Sequence, residues 1–258
     1  MDAVVTAGGI PLPEDPLYPD THGHSKAMLD IGGKPMIQWV LDALCASQKV
    51  DKIIIMGMTT NSGLRTTKPT YYLPNEGRML ANIVAGVQKT IELNPKTEYV
   101  LLVASDIPAL TGEMVDWLVE ETEKTPADIH YGVIPRDVME TRFPDSRRTW
   151  THLKDMDVCG ADINVTHVRM ATEHLDTWED LIGKRKSPLK QAAAIGLDTL
   201  LLMVLHQLTL KDLVERVSGR IGIRGNAIVW PWAEAGMDVD KPHQLDIMRA
   251  DKEKLGER

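Results

Sequence analysis

A glycine pair at Gly8-Gly9, a lysine at Lys26, an aspartate at Asp106 and an Asp-x-Asp at Asp238 and Asp240 suit chemistry on a phosphate-bearing ligand. The glycines follow directly on the β-branched run Ala3-Val4-Val5-Thr6-Ala7, and glycine after a strand lets backbone N–H groups approach phosphate oxygens closely. This is not the dinucleotide fingerprint, since no third glycine opens a helix. Nor is it a Walker A loop, since no Gly-Lys-Ser/Thr follows at the needed spacing. Lys26 closes the loop as a mobile point charge suited to phosphate, with a solvated loop lysine as the plain alternative. Asp106 stands just past the apolar run Tyr99–Ala104, where open α/β sheets bind ligands, and Ile107-Pro108 stiffens its turn. A cap or turn aspartate is the competing reading. Alternation along an extended segment puts Asp238 and Asp240 on one face. With Asp106 they offer the few hard oxygens that Mg2+ takes while keeping waters and substrate phosphates. An N-cap role for Asp240 ahead of Pro242 competes and can coexist with metal binding.

The elements that must position these residues alternate in the first half of the chain. Ala3 to Thr6 reads as a central buried strand, and Ile10 to Ser25, with four prolines, as a long loop of the kind that often carries function. From Pro35 a helix begins, with Met36, Ile37, Val40, Leu41 and Leu44 on one face. Lys52 to Met56 is a second buried strand, and Leu80, Ile83, Val84, Val87 and Ile91 mark a second helix. Tyr99 to Ala104 is the strongest strand. Thr111 caps a helix burying Met114, Val115, Leu118 and Val119, and Ile129 to Ile134 is another strand. Such alternation implies an α/β fold with a largely parallel sheet and helices on both faces.

Later segments are less regular. Arg142 to Lys154 is polar and basic. Val158 to Val165 reads as one strand approached through a turn, and Ser187-Pro188 opens a helix through the apolar residues around Leu200. Thr209 to Asp212 fits a capping box for a helix with Leu213, Val214 and Val217 inward. Ala227 to Trp230 is a strand, and the Asp238-Asp240 segment leads into a last helix. No Pro/Gly/Ser-rich linker divides the chain. The expected organisation is one domain, with a nucleotide-side half to about residue 135, an acceptor-side and helical segment to about 225, and a returning strand and helix.

Composition narrows the partners. With 258 residues and 43% hydrophobic content the chain can bury a substantial core, and its net charge of -8 builds no basic face for nucleic acid. The two cysteines, Cys45 and Cys159, lack metal-ligand spacing and fit reduced thiols in a cytoplasmic protein. No signal peptide is evident, and the apolar run Leu197 to Leu205 is too short to span a bilayer.

Val4-Val5-Thr6-Ala7-Gly8-Gly9, Ser25-Lys26-Ala27-Met28-Leu29, Gly33-Lys34-Pro35-Met36-Ile37, Ser105-Asp106-Ile107-Pro108 and Asp238-Val239-Asp240-Lys241-Pro242 together resemble the nucleotidyltransferases of the Rossmann-like GT-A fold, and among them the MobA-like NTP transferases. That group contains molybdenum-cofactor guanylyl- and cytidylyltransferases and sugar-phosphate nucleotidyltransferases. The likeness spans about the first 120 residues and the last 30. It implies that Ala7, Gly8 and Gly9 meet the base and phosphates, that Lys26 neutralises phosphate charge, and that Asp106 and Asp240 are the Mg2+ pair, with Asp238 as substitute. Gly77, Leu80 and Asn82 lie in a segment similar to the family's Gly-Met-x-x-Ser beside base and ribose. Gly160, Asp162 and Asn164 resemble the Gly-containing strand near the acceptor.

The implied reaction is in-line attack by an acceptor phosphate on the α-phosphorus of an NTP, with pyrophosphate leaving and no covalent enzyme intermediate. The implied partners are an NTP and a phosphorylated small molecule, with a homodimer left open. The chain departs from the family in its loop. The usual loop is short, with an arginine ahead of the lysine, whereas this one is long and carries His22 and His24 instead. A neutral imidazole does not replace a bidentate guanidinium. Asp20, His22 and His24 read as polar loop residues before they read as a metal site. Arg147 and Arg148 are offered as cations for an acceptor phosphate, against a solvated basic loop.

Two other functions stay open. A GT-A glycosyltransferase would use Asp238-Val239-Asp240 with a nucleotide sugar, but it leaves Lys26 and Gly33-Lys34-Pro35 without work. A non-catalytic nucleotide sensor would suit the missing arginine and the apolar segment from Pro188 to Val217.

Overall fold

The computed structural model of the chain describes residues 1–176, 178 and 196–256. Among the described residues nine strands form the main sheet. Its order is β5 (Thr70–Leu73), β4 (Ile53–Met56), β1 (Asp2–Thr6), β6 (Tyr99–Ala104), β10 (Ile163–His167), β7 (Ile129–Pro135), β9 (Asp157–Gly160) and β8 (Thr151–His152), with β11 (Gly225–Val229) on the other edge of β7. β5, β4, β1 and β6 run parallel, β10 is antiparallel to both β6 and β7, and β11 is parallel to β7. Two short strands, β2 (Asp30–Ile31) and β3 (Lys34–Pro35), pair separately.

The parallel strands read as near-continuous apolar runs because both their faces are covered. Ala3 and Val5 of β1, Ile53 and Ile55 of β4, and Leu101 and Val103 of β6 face one core with helices α2 (Met36–Ala46) and α4 (Gly112–Glu123). Val4, Ile54, Met56 and Val100 face the other core, under α3 (Met79–Leu93). Helix α3 crosses β1 closely, because a Cβ on Gly86 would stand 2.4 Å from Cγ1 of Val4.

Most elements lie where periodicity and capping put them. Pro35 precedes the first residue of α2, where its missing N–H costs nothing. Thr111 caps α4, its hydroxyl accepting from the Met114 amide, and Thr209 with Asp212 forms a reciprocal capping box on Leu210–Ile221. The leucines and valines of that last helix are only half-buried.

Two expectations are corrected. The loop from Ile10 to Ser25 contains one helical turn, α1 (Tyr18–Thr21), with Pro19 in its first turn, where proline is tolerated. The single strand expected from Val158 to Val165 is two, broken at Ala161-Asp162. The backbone there bonds outward: Ala161 N–H donates to Gly132 and Asp162 N–H to Ala235, while the Asp162 carbonyl accepts from Ala104. The chain thereby passes from β9, paired with β7 and β8, to β10, paired with β6 and with the start of β7. Apolar residues on both sides of the break hide it from a periodicity argument. The helix expected from Ser187-Pro188 opens outside the described residues, and Leu197–Val204 is helical.

Candidate active site

The strand order turns around at β1 and β6. From β1 the chain goes outward to β4 and β5, then returns to β6 on the other side of β1. Such a reversal leaves a crevice at the carboxyl ends of the two strands, unfilled by either crossover helix. Thr6 is level with Ala104, so Ala7-Gly8-Gly9 and Ser105-Asp106 leave the sheet side by side at that crevice.

Lys26 reaches it from the end of the long loop. Its Nζ donates to Oδ2 of Asp106 and to Oδ1 of Asp240, both at 2.5 Å. The loop's end is fastened to its start, since Lys26 N–H donates to the Gly9 carbonyl and Ser25 Oγ to that of Ala7. Asp240 is brought in by backbone: Val239 N–H donates to the Asp106 carbonyl, and Asp240 N–H is capped by Gln244 Oε1. Burial disfavours the Lys26 ammonium, but the Asp106 and Asp240 carboxylates outweigh it and raise its pKa. Burial likewise disfavours ionised Asp240, and the Lys26 and Arg148 cations overcome it, holding that carboxyl below its usual range.

Beside this triad lies a second ion cluster. Arg148 pairs with Asp238, and its guanidinium is 3.7 Å from Asp162. Asp162 is pushed up to about 7, by burial first and then by the Asp106 and Asp240 carboxylates, against the pull of Arg148 and Lys26. Its place in the turn between β9 and β10 puts it among the strand-end acids. Reading one continuous strand there concealed this position.

The remaining expected residues divide. Asn82 is buried on the first turn of α3, where its Oδ1 accepts from the Glu76 amide and its Nδ2 donates to Asn75. Leu80 packs into the core under α3 with Ile83 and Val87. Gly77, in left-handed backbone at φ 77°, donates its N–H to Asn75. Asn164 spans strands, accepting from the Gly132 amide and donating to the Ala161 carbonyl, while Gly160 makes room for the Tyr131 hydroxyl. Arg147 is exposed in left-handed backbone at φ 51°. His22 ends α1, its N–H donating to Tyr18, and Asp20 lies 4.0 Å from Arg249. Asn75 was not expected from the sequence. Its one signal is the Pro74-Asn75-Glu76-Gly77 turn composition directly after an apolar strand.

The Mg2+ that the sequence resemblance implies is tested by these residues. Among the described residues no three His, Cys, Asp or Glu side chains form a metal cage. Mg2+ does not need one, because it is commonly held by one or two carboxylates together with substrate phosphates and waters. Asp106 and Asp240 already share a cation, the Lys26 ammonium, and Asp106 Oδ1 is buried without a hydrogen-bond partner. The donor set fits a hard divalent ion.

This architecture belongs to the nucleotidyltransferase fold. The chain superposes on a hypothetical transferase from Thermus thermophilus with a TM-score of 0.83 and 29% identity, over 95% of this chain and 98% of that one. It also matches a CMP:2-keto-3-deoxy-manno-octonic acid synthetase complexed with CTP, at TM-score 0.58 and 15% identity over 98% of each chain. A 2-C-methyl-D-erythritol 4-phosphate cytidylyltransferase, also from Thermus thermophilus, gives TM-score 0.54 and 13% identity, over 97% of this chain and 98% of that one. The last two likenesses show the fold.

A family model described as the MobA-like NTP transferase domain matches residues 21–186, and the chain belongs to that family. A probable molybdenum cofactor guanylyltransferase of Thermococcus gammatolerans is 27% identical over 103 residues, 40% of this chain and 51% of that protein. The chain thus spans about half the length of the curated relative it matches. No helix among the described residues is long and apolar enough to cross a membrane.

Proposed function

We propose that this protein is a Mg2+-dependent nucleotidyltransferase that moves an NMP group from an NTP to a phosphorylated small-molecule acceptor. The observation that carries the reading is Lys26, held between Asp106 and Asp240 at the crevice where β1 and β6 end. An oxygen of the acceptor phosphate bonds to the α-phosphorus while the α–β bridging bond breaks, and pyrophosphate leaves with the electron pair. Lys26 and the Gly8-Gly9 amides stabilise the charge that builds on the phosphate oxygens. Asp106 and Asp240 would hold Mg2+, which when bound offsets phosphate charge and helps orient the triphosphate. Orientation supplies much of the rate in such a displacement, because no covalent intermediate is formed on the protein.

The acceptor is assigned to the side of the crevice near residues 147–162. Arg148 is engaged by Asp238 and Asp162, so the exposed Arg147 is the better cation for an acceptor phosphate. The guanylyltransferase relative makes GTP and a molybdopterin-type phosphate the first pair to try, with sugar phosphates and phosphoalcohols next.

The test is thermal denaturation with GTP, CTP, ATP and UTP, each with and without Mg2+, followed by pyrophosphate release across an acceptor panel. A Mg2+-dependent rise in Tm with one nucleotide, at concentrations well above Kd, is expected by mass action. Stabilisation by nucleotide sugars with none by any NTP would replace this reading with glycosyl transfer.

A further inference from the structure

We propose that Asn75, seated by Asn82, is a positioning residue that aims the Gly8 and Gly9 amides at the triphosphate. The inference rests on the nucleotidyltransferase reading and concerns a residue that neither family motif nor spacing marks.

A loop that receives phosphate must solve an orientation problem. Each peptide offers a donor and an acceptor on opposite sides, because the unit is planar and trans. A carbonyl oxygen facing phosphate repels it, while an N–H facing phosphate binds it. In this loop three successive carbonyls are each taken by a donor from elsewhere in the chain. Ser25 Oγ donates to Ala7 at 3.3 Å, Asn75 Nδ2 to Gly8 at 2.9 Å, and Lys26 N–H to Gly9 at 3.0 Å. Among the described residues the Gly8 and Gly9 N–H groups have no protein acceptor. Fixing the Ala7 carbonyl turns the Gly8 N–H away from Ser25, and fixing the Gly8 carbonyl turns the Gly9 N–H away from Asn75.

Two of those three donors belong to the Ser25-Lys26 end of the same loop, and Asn75 alone comes from another segment. Its side-chain orientation is determined, because Oδ1 accepts from both the Gly77 N–H and Asn82 Nδ2, each at 3.0 Å, leaving Nδ2 to donate to Gly8. Asn82 is in turn fixed by burial and by the Glu76 amide at 2.7 Å. The relay therefore runs from the first turn of α3 through two amides to the phosphate loop. The contact is close: a Cβ on Gly8 would stand 2.7 Å from Cγ of Asn75, and a Cβ on Gly57 would stand 2.5 Å from Cα of Gly8. Gly8 is thus needed for what lies against it, since its own φ is not in the left-handed region.

The chemistry predicts which replacements fail. In Asn75→Ala the Gly8 peptide is free to turn. In Asn75→Asp a carboxylate faces the Gly8 carbonyl and the incoming phosphate, and no donor remains. Asn82→Asp keeps the acceptor for Glu76 but removes the donor to Asn75, so it should mimic Asn75→Ala in milder form.

The experiment measures Kd for Mg2+-tripolyphosphate and for each Mg2+-NTP by titration calorimetry, then KM and kcat once turnover is found. Asn75→Ala should weaken both tripolyphosphate and NTP binding about tenfold, Asn75→Asp about a hundredfold, with unchanged acceptor KM and wild-type Tm within a few degrees. Equal affinity of wild type and Asn75→Ala for tripolyphosphate would overturn the proposal while leaving the transferase reading intact. If Asn75→Ala instead lowers Tm sharply, the Asn75→Asp and Asn75→Ser pair decides at a temperature where both are folded. Serine, which can still donate to Gly8, should bind better than aspartate, and the reverse order would refute the role. Failure of wild type to bind any NTP or tripolyphosphate would sink the transferase reading and this inference together.

Discussion

The Lys26 ammonium lies 2.5 Å from the Asp106 carboxylate and 2.5 Å from that of Asp240, joining positions 80 and 214 residues away along the chain. Asp106 is held by the end of a central strand and Asp240 by a backbone hydrogen bond from its neighbour Val239 to Asp106. The spacing of the two acids is therefore set by the main chain, and Lys26 fills the gap between them.

Replacing Lys26 by Met should remove charge stabilisation that acts on the transferred phosphoryl group. The expected loss is about 100- to 1,000-fold in kcat, typical for deletion of one preorganised donor. Lys26→Arg should not restore full activity, since a planar fork does not occupy the same point between two carboxylates. Steady-state kinetics on the two variants checks this, with retained Tm as the control for folding.

Asp106→Asn should abolish the Mg2+-dependent part of the NTP-induced Tm shift while the protein stays folded. Asp238→Asn should keep that dependence, because Asp238 is engaged with Arg148. A Mg2+ titration of both variants in the presence of NTP separates the two aspartates. Loss of the dependence in Asp238→Asn alone would reassign the metal pair.

Asp162 gives a pH dependence with a definite sign. Its carboxyl is raised to about 7 in the native state, by burial and by Asp106 and Asp240. Between the ordinary carboxylate range near 4 and about 7, the native state keeps a proton that the unfolded state loses. Its contribution to stability therefore falls as pH rises through that window. Asp162→Asn should melt higher than wild type at pH 8, and the difference should vanish near pH 4. Melting curves across that range, without nucleotide or metal, check it.

His130 acts in the opposite direction. It is fully buried, with Nδ1 against the Asn226 amide, and burial lowers its pKa to about 4 despite the Asp128 carboxylate. The native state stays neutral where the unfolded state protonates. Stability is complete above about 6.5 and is lost as pH falls toward 4, by up to about 3 kcal/mol. In His130→Gln this part of the acid limb should disappear, as urea unfolding at pH 4.5 and 7.5 would show.

Gly86→Ala should cost about 1–3 kcal/mol of stability through overpacking. The new methyl would meet Val4, which is fully buried in β1. Combining it with Val4→Ala should recover part of the loss in denaturant melts, because the two side chains compete for one volume.

The legibility of this protein follows how local each determinant is. β6 and its following Asp106 were readable because an unbroken apolar run fixes a strand and the next polar residue then lies at its end. Thr111 and Thr209 were readable because capping is decided within one turn. Asp162 was misplaced because the break between β9 and β10 is made by backbone partners on β7, β6 and the segment at Ala235. No periodicity within the strand records those partners. Asn82 was expected beside base and ribose, and the structure shows its side chain linked to the Gly8 carbonyl through Asn75, seven residues earlier in the chain. The pairing of Arg148 with Asp238 joins segments far apart in sequence, which composition and spacing do not encode.

The backbone bond from Val239 to Asp106 has a consequence for synthesis of the protein. Lys26 and Asp106 both precede Asp240 in the order of synthesis. Asp240 is made 214 residues after Lys26 and 134 after Asp106, and until then the lysine has at most one of its two acidic neighbours. A nascent chain arrested before residue 238 lacks both the second carboxylate and the backbone bond that seats it. The timetable of synthesis thus keeps the site incomplete until the returning segment arrives.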